Sequence, residues 1–216
     1  MLKNVKTGLV AAVVMAGSVV AGGVAHAQTP AGVADLGEAS FTKGSTTVIV
    51  PSLAPCAVEG PTSASAGSLS KTGLSWGGGT SSCTTTVVDP DNDTTSTKST
   101  ATGKNFELSA LVSAGGPRIR LASYTVTCDA VQRQTSANWT FSGLAGITGL
   151  PSPVPAGYTK PITKSGGTVL ANAVFNTQTL PGDGSISLTM LRIDFQPASG
   201  LTGSVVVGRT SCSPTP

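Results

Sequence analysis

Histidine, aromatic residues and charge are all scarce in this chain. Its 216 residues include a single histidine, and only 4% are aromatic and 11% charged. The one histidine, His26, lies in an N-terminal stretch with the features of a removable secretory signal, so a mature chain would have no imidazole. Histidine is the commonest side chain for general acid–base catalysis and for metal binding. A Ser-His-Asp triad is therefore excluded for the mature chain.

The charge balance gives no sign of a nucleic-acid partner. The formal net charge is +3, and two of the 13 basic residues, Lys3 and Lys6, lie in the N-terminal stretch. Without these two, 11 basic residues face 10 acidic residues. A nearly neutral chain lacks the positive field that attracts a phosphate backbone, so we expect no nucleic-acid binding.

Residues 1–27 have the three parts of a secretory signal peptide. A basic start precedes an apolar run over Leu9–Val24, and the small residues Ala25 and Ala27 provide a cleavage site. An uncleaved anchor is the alternative, but three glycines interrupt the run, which is also shorter than the roughly 20 apolar residues of a membrane span. We expect cleavage after Ala27, no transmembrane segment in the mature chain, and a secreted protein that is released or associated with the cell envelope.

Four cysteines remain after this stretch: Cys56, Cys83, Cys128 and Cys212. An even number in an exported chain predicts two disulfides, for which three pairings exist. The pairing Cys56–Cys83 with Cys128–Cys212 is favoured, because the first two flank one Ser/Gly-rich loop and the last two end similar strand-like runs. Sequence alone does not choose among the three. No pair has the short spacing of a zinc thiolate site.

Serine and threonine make up 54 of the 189 residues after position 27, which favours strands and turns over helices. No amphipathic helix follows the signal peptide, whereas apolar residues recur at alternate positions. Short turns between these runs predict antiparallel pairing. The fold class expected is all-β: an antiparallel β-sandwich of about eight to nine strands. The strand-like runs include Ser45–Val50, Ser82–Val88, Phe106–Val112, Arg118–Cys128, Ala137–Ser142, Thr168–Phe175, Ser185–Phe195 and Ser204–Thr210.

The mature chain, residues 28–216, is expected to form one domain. A Ser/Thr-rich N-terminal part (28–104) precedes a C-terminal part (105–216). The irregular stretches 80–102 and 150–167 are not expected to be domain boundaries, because the strand patterns on either side would be too few to bury a core. In the runs Arg118–Cys128 and Ser185–Phe195 the apolar set changes phase partway. A β-bulge at each change, or a strand buried on both faces, would keep these residues covered.

The segment Asp89-Pro-Asp-Asn-Asp93 is a candidate calcium site. Asp89, Asp91 and Asp93 are spaced as in the opening of a calcium loop. Thr94 stands where the sharp-turn glycine belongs, and Thr100 where the bidentate glutamate belongs. A solvated acidic turn is the favoured alternative, and no other cofactor is indicated.

Trp76 is a candidate ligand-binding residue, because the three glycines that follow it suggest an exposed ring. Trp139 and Tyr124 lie in strand patterns and are predicted to be core residues. A glycosidase requires only two carboxylates, but no spacing selects a pair here. The candidates are Glu38, Glu59, Glu107, Asp129 and Asp194.

Six segments of the C-terminal half follow one another in a recognisable order of strands and turns: Tyr124–Cys128, Ser142–Leu144, Val154–Pro155, Val174–Gln178, Asp183–Leu191 and Gly203–Cys212. In this pattern the C-terminal half resembles the choice-of-anchor P family of exported, β-rich actinobacterial proteins. The resemblance implies a secreted or envelope-associated domain, supports a Cys128–Cys212 disulfide, and supplies no active-site residues. We expect this chain to depart from the family in having no anchor of its own.

The expected function is that of an exported, non-enzymatic β-sandwich with a role in adhesion, envelope structure or ligand binding. Its expected partners are an extracellular glycan, a cell-wall polymer or an envelope protein. The alternative is a carboxylate-dependent glycoside or polysaccharide hydrolase.

Overall fold

The computed structural model describes residues 31–92, 94–132 and 134–214. The predicted signal peptide, with His26, lies outside these residues. The described residues form fourteen β-strands and three short 3₁₀ helices, of which the longest has five residues. The predicted all-β fold is therefore confirmed, together with its antiparallel strand pairing.

The strands are numbered in chain order. They are β1 (Gly32–Lys43), β2 (Thr46–Val50), β3 (Cys56–Ala57), β4 (Ser63–Ala66), β5 (Leu69–Lys71), β6 (Leu74–Trp76), β7 (Gly79–Asp89), β8 (Thr94–Leu108), β9 (Ile119–Val131), β10 (Gln134–Ser142), β11 (Tyr158–Thr163), β12 (Val169–Thr179), β13 (Ile186–Phe195) and β14 (Leu201–Cys212). The 3₁₀ helices span Pro90–Asn92, Ala110–Ala114 and Pro197–Ser199.

Two seven-stranded sheets pack face to face. Sheet 1 has the strand order β11-β12-β13-β14-β1-β2, with β3 also paired to β1. Sheet 2 has the order β10-β9-β8-β6-β5, and β7 joins β4 to the first part of β8. Because β8 runs across the predicted boundary at residues 104/105, and β1 lies beside β14, the N-terminal and C-terminal parts share both sheets.

Alternation of apolar and polar residues places one face of each sheet in a common core. Trp76, Phe106 and Tyr124 of sheet 2 are fully buried there, as are Leu36 and Phe175 of sheet 1. Tyr124 needs room to lie between the sheets, and Gly103, its register partner on β8, provides this room because a Cβ atom there would overlap the ring.

Both predicted disulfides are present, and each joins the two sheets. Cys56 on β3 bonds to Cys83 on β7, and Cys128 on β9 bonds to Cys212 on β14. All four cysteines are buried. The favoured pairing is therefore confirmed, and the covalent links connect layers that otherwise meet through side chains.

The predicted change of phase in β13 occurs at Met190 and Leu191, which are both buried. The pairing of β13 with β14 is in the same register on both sides of this step, so no residue is inserted and there is no bulge. Instead, the strands on either side of β13 have an unusual backbone conformation at the same level of the sheet. Gly208 on β14 and Asn176 on β12 lie opposite Met190 in the register and have positive φ angles of 70° and 55°. A left-handed residue turns the chain enough to reverse which side its neighbours face.

Three expectations about the strands need correction. The described residues have fourteen strands and not eight or nine, because β1, β11 and the four short strands β3–β6 are absent from the predicted runs. Strand β8 ends at Leu108, not Val112, because the chain turns into the 3₁₀ helix Ala110–Ala114, in which Ala110 and Leu111 are both buried. In β9, Ala122 is exposed at the phase step instead of facing the core.

Candidate functional site

The outer side of sheet 2 carries a broad array of hydroxyl groups. We call this array the hydroxyl face. Fifteen of its 21 side chains are serine or threonine. It comprises Ser63 and Ser65 of β4; Thr80, Ser82, Thr84 and Thr86 of β7; Ser96, Lys98, Thr100, Thr102 and Lys104 of β8; Ser123, Thr125, Thr127, Asp129 and Val131 of β9; and Gln134, Ser136, Asn138, Thr140 and Ser142 of β10.

Strand register aligns these side chains in rows across the sheet. One row contains only hydroxyl residues on five strands: Ser65, Thr80, Thr102, Thr125 and Thr140. The next row is Ser63, Ser82, Thr100, Thr127 and Asn138. Neighbouring strands lie about 4.8 Å apart, and alternate residues along one strand lie about 6.8 Å apart. The hydroxyl face is therefore a two-dimensional grid of neutral hydrogen-bonding groups.

Contacts between hydroxyls connect adjacent strands of this grid. Thr102 Oγ1 and Thr125 Oγ1 are 3.2 Å apart, and either can donate. Ser123 Oγ and Ser142 Oγ are 2.8 Å apart. Each hydroxyl has one proton and two acceptor lone pairs, so such a pair keeps further hydrogen-bonding capacity for a ligand.

Three charged residues lie on the hydroxyl face, and two of them neutralise each other. Lys98 Nζ is 3.6 Å from a carboxylate oxygen of Asp129. Lys104 is the third, at the margin beside the phase step of sheet 2. A surface of this composition does not attract polyanions or polycations strongly.

The outer side of sheet 1 carries a cluster of charges, as does sheet 2 beyond its phase step, where Arg118 and Arg120 pair with Glu107. Arg209 on β14 donates to both Asp35 and Glu38 of β1: its Nε lies 3.0 Å from Asp35 Oδ2, and its Nη1 lies 2.7 Å from Glu38 Oε1. Burial raises the pKa of Asp35, the Arg209 guanidinium opposes this only in part, and the nearby Glu38 carboxylate adds to the rise. Since one arginine holds both carboxylates, this cluster is a structural ion pair and not an open acid–base pair.

The five predicted carboxylate candidates do not come together as a pair. Asp194 binds Arg192, Asp129 binds Lys98, and Glu38 binds Arg209. Glu107 accepts hydrogen bonds from Arg120 and Arg118, with Arg120 Nε at 2.8 Å, and these bonds, Arg120 first, lower the pKa of Glu107. Glu59 lies exposed in the loop after β3. Sequence reasoning missed Asp35, whose contact with Arg209 spans 174 positions of the chain.

The expectation of an exposed Trp76 ring is wrong. Trp76 is only 2% exposed and packs on Phe106, with ring centroids 5.1 Å apart. Strand β6 alternates in the pattern Leu74-Ser75-Trp76, which turns both large side chains inward. The glycines that follow keep the chain beside β8 between β6 and β7, and Gly77 N–H donates a hydrogen bond to the carbonyl oxygen of Lys104 on β8. Tyr124 is in the core as predicted, and Trp139 is half-buried.

The acidic segment forms a turn at the tip of the β7–β8 hairpin. Asp89 accepts hydrogen bonds from the side chain of Asn92 at 2.7 Å and from the backbone N–H of Asp91 at 3.1 Å. These bonds, Asn92 first, lower the pKa of Asp89. Asp93, the third predicted carboxylate ligand, lies outside the described residues. Over residues 31–92, 94–132 and 134–214, no three His, Cys, Asp or Glu side chains gather as metal ligands would.

In that same part of the chain, no helix has the length and apolar character needed to cross a bilayer.

Comparisons of the sequence and structure with protein-family models, with curated proteins and with solved structures found no match in any of the three.

Proposed function

We propose that this protein is an exported, non-enzymatic binding protein that attaches to a neutral extracellular glycan or cell-wall polymer through the hydroxyl face. The observation that carries this proposal is the row of five hydroxyl residues in register, Ser65, Thr80, Thr102, Thr125 and Thr140. A glycan presents its own repeated hydroxyls, which donate and accept in the same way.

Single hydroxyl contacts contribute little, because each replaces a hydrogen bond to water and adds only about 1 kcal/mol. A grid changes this, since one rigid polymer can meet many groups whose positions the sheet has already fixed. The absence of unpaired charge from the centre of the hydroxyl face also matters. Covering an unpaired charge with a neutral polymer would carry a desolvation penalty larger than the gain from several hydroxyl contacts.

Export is supported by the predicted signal peptide and by the two disulfides, which are typical of oxidising compartments. The resemblance to the choice-of-anchor P family supports envelope association as part of the same proposal. The hydrolase alternative needs two carboxylates facing a substrate. Four of the five candidates form ion pairs with basic side chains, which favours binding over hydrolysis.

Co-sedimentation with insoluble polysaccharides tests this proposal. The purified protein should pellet with neutral polymers such as cellulose or chitin, and the bound fraction should change little between low and high salt because the contacts are uncharged. The test variant is Thr102→Glu with Thr125→Glu, which places two negative charges in the central row. We expect its affinity to fall by at least about tenfold, since these carboxylates would have to be desolvated.

The chain offers a closely matched control on the opposite sheet. Thr42 and Thr47 are register partners on β1 and β2, and their hydroxyl oxygens are also 3.2 Å apart. The double variant Thr42→Glu with Thr47→Glu should bind like the unmodified protein. Urea unfolding of both variants verifies that each is folded. Equal loss of binding in the two variants, or no binding of the unmodified protein to any neutral polymer, would overturn the proposal.

A further inference from the structure

A cavity of about 720 Å³ lies at the end of the hydroxyl face, where β9 turns into β10. One wall comes from this hairpin and the other from the segment that joins β12 to β13. Ser136 and Asp129 are register partners within the hydroxyl face, so the cavity opens directly onto it. The lining includes Asp129, Val131, Gln134, Ser136, Leu180 and Gly184.

The two walls are tied to each other. Thr135 Oγ1, on β10, donates a hydrogen bond to the carbonyl oxygen of Gly184 at 2.6 Å. The disulfide Cys128–Cys212 joins β9 to β14 at the same end of the sandwich, and Cys212 is the register partner of Ile186. The cavity is therefore formed by anchored segments from both sheets.

The chemistry of the cavity differs from that of the rest of the hydroxyl face, because two aliphatic side chains are uncovered there. Leu180 is 68% exposed and Val131 is 41% exposed. Beside them are the amide of Gln134 and the carboxylate of Asp129, which Lys98 partly neutralises at 3.6 Å. This combination provides apolar surface, an amide donor and acceptor, and a carboxylate acceptor.

We propose that the cavity binds an N-acyl substituent, such as the acetamido group of an amino sugar, on the polysaccharide that occupies the hydroxyl face. This inference rests on the proposed function and names the substrate class. The acyl methyl group would lie against Leu180 and Val131, which removes apolar surface from water. The amide N–H would donate to Asp129, and Gln134 would bind the carbonyl oxygen. Asp129 disfavours an anionic substituent at this position.

Three soluble oligosaccharides of equal length test the inference by titration calorimetry. They are an N-acetylglucosamine oligomer, a glucose oligomer of the same β-1,4 linkage, and the deacetylated glucosamine oligomer. We expect the acetylated oligomer to bind at least about fourfold more tightly than the glucose oligomer, which is the gain from burying one methyl-sized group.

The variant Leu180→Ala should abolish this preference and leave the affinity for the glucose oligomer unchanged. Ile49→Ala is the matched control, because Ile49 is also a largely exposed aliphatic residue, at 64%, and lies on β2 of sheet 1. The control should keep the preference. Since both side chains project into solvent, neither change is expected to disturb folding.

The possible results separate the two levels of the proposal. If glucose oligomers bind but acetylated ones bind no better, or if the deacetylated oligomer binds best, the N-acyl site is overturned and the hydroxyl face stands. If Leu180→Ala weakens all three oligomers equally, or Ile49→Ala removes the preference, the N-acyl site is also overturned. If none of the oligomers binds, both the N-acyl site and the proposed function fall.

Discussion

The phenolic hydroxyl of Tyr124, on sheet 2, donates a hydrogen bond to the backbone carbonyl oxygen of Leu36, on sheet 1, at a distance of 2.6 Å. Leu36 lies opposite Gly208 of β14, at the one position where the paired register of β1 and β14 is interrupted. The bond therefore provides a partner for a buried carbonyl group in a part of β1 where the ladder to β14 is interrupted. Burial raises the pKa of Tyr124, so its hydroxyl remains protonated and able to donate.

Tyr124→Phe should lower the free energy of unfolding by about 1–3 kcal/mol, because it leaves the Leu36 carbonyl buried without a donor. Urea denaturation followed by fluorescence measures the change. Tyr158→Phe is the control, since Tyr158 is only half-buried at the start of an edge strand, and it should change stability by less than about 0.5 kcal/mol. Equal losses of unfolding free energy in the two variants would contradict a stabilising role for the hydrogen bond from Tyr124 to Leu36.

The two disulfides should differ in how much they stabilise the fold. Cys128–Cys212 closes a separation of 84 residues and Cys56–Cys83 one of 27. Loop-closure entropy then predicts losses of about 4.5 and about 3.5 kcal/mol when each pair is replaced by serine. Because all four cysteines are buried, the penalty for burying serine is similar in both double variants and largely cancels in the comparison. Urea unfolding of the two variants checks the order, and a larger loss for the Cys56/Cys83 pair would contradict it.

Asp35 and Glu107 should affect the pH dependence of stability with opposite signs. Burial raises the pKa of Asp35 in the folded protein above its usual 3.8. Its favourable contribution is thus full below pH 3.8 and is lost as the pH rises through the folded pKa. Hydrogen bonds from Arg120 and Arg118 lower the pKa of Glu107, so its contribution is present above its usual 4.5 and is lost as the pH falls.

Unfolding free energies measured between pH 3 and pH 7 test this relationship. Relative to Asp35→Asn, the unmodified protein should lose stability as the pH rises from about 4. Relative to Glu107→Gln, the unmodified protein should gain stability as the pH rises over the same range. Two differences of the same sign would show that the assignment of burial to Asp35 or of arginine pairing to Glu107 is incorrect.

The sheet-forming runs of the C-terminal half were predictable because their apolar residues alternate with polar ones. In β13 this contrast marks the buried face, and even the phase step at Met190 and Leu191 is visible in the sequence. The sequence does not reveal that this step is aligned with the left-handed residues Asn176 and Gly208, since these come opposite Met190 only through strand pairing.

The hydroxyl face is much harder to predict, although serine and threonine are abundant in the sequence. In β8, Thr97 and Ser99 face the core, whereas Thr100 and Thr102 face outward. Hydropathy therefore gives no contrast between the two sides of this strand. The rows of hydroxyls also depend on the register of five strands, which no single segment encodes. The burial of Trp76 is hard to predict for a related reason. It depends on the pairing of β6 with β8, which the three glycines after Trp76 do not indicate.

The most direct test of the proposed binding face is a nuclear magnetic resonance titration of the isotope-labelled protein with a soluble neutral oligosaccharide. If the hydroxyl face is the binding surface, the amide shifts that change should cluster on β8, β9 and β10, around Thr100, Thr102, Thr125 and Thr127. Amides beside Arg209 and Arg192 on sheet 1 should remain unchanged. Shift changes that cluster on sheet 1, or saturating oligosaccharide that leaves every amide unchanged, would contradict the account.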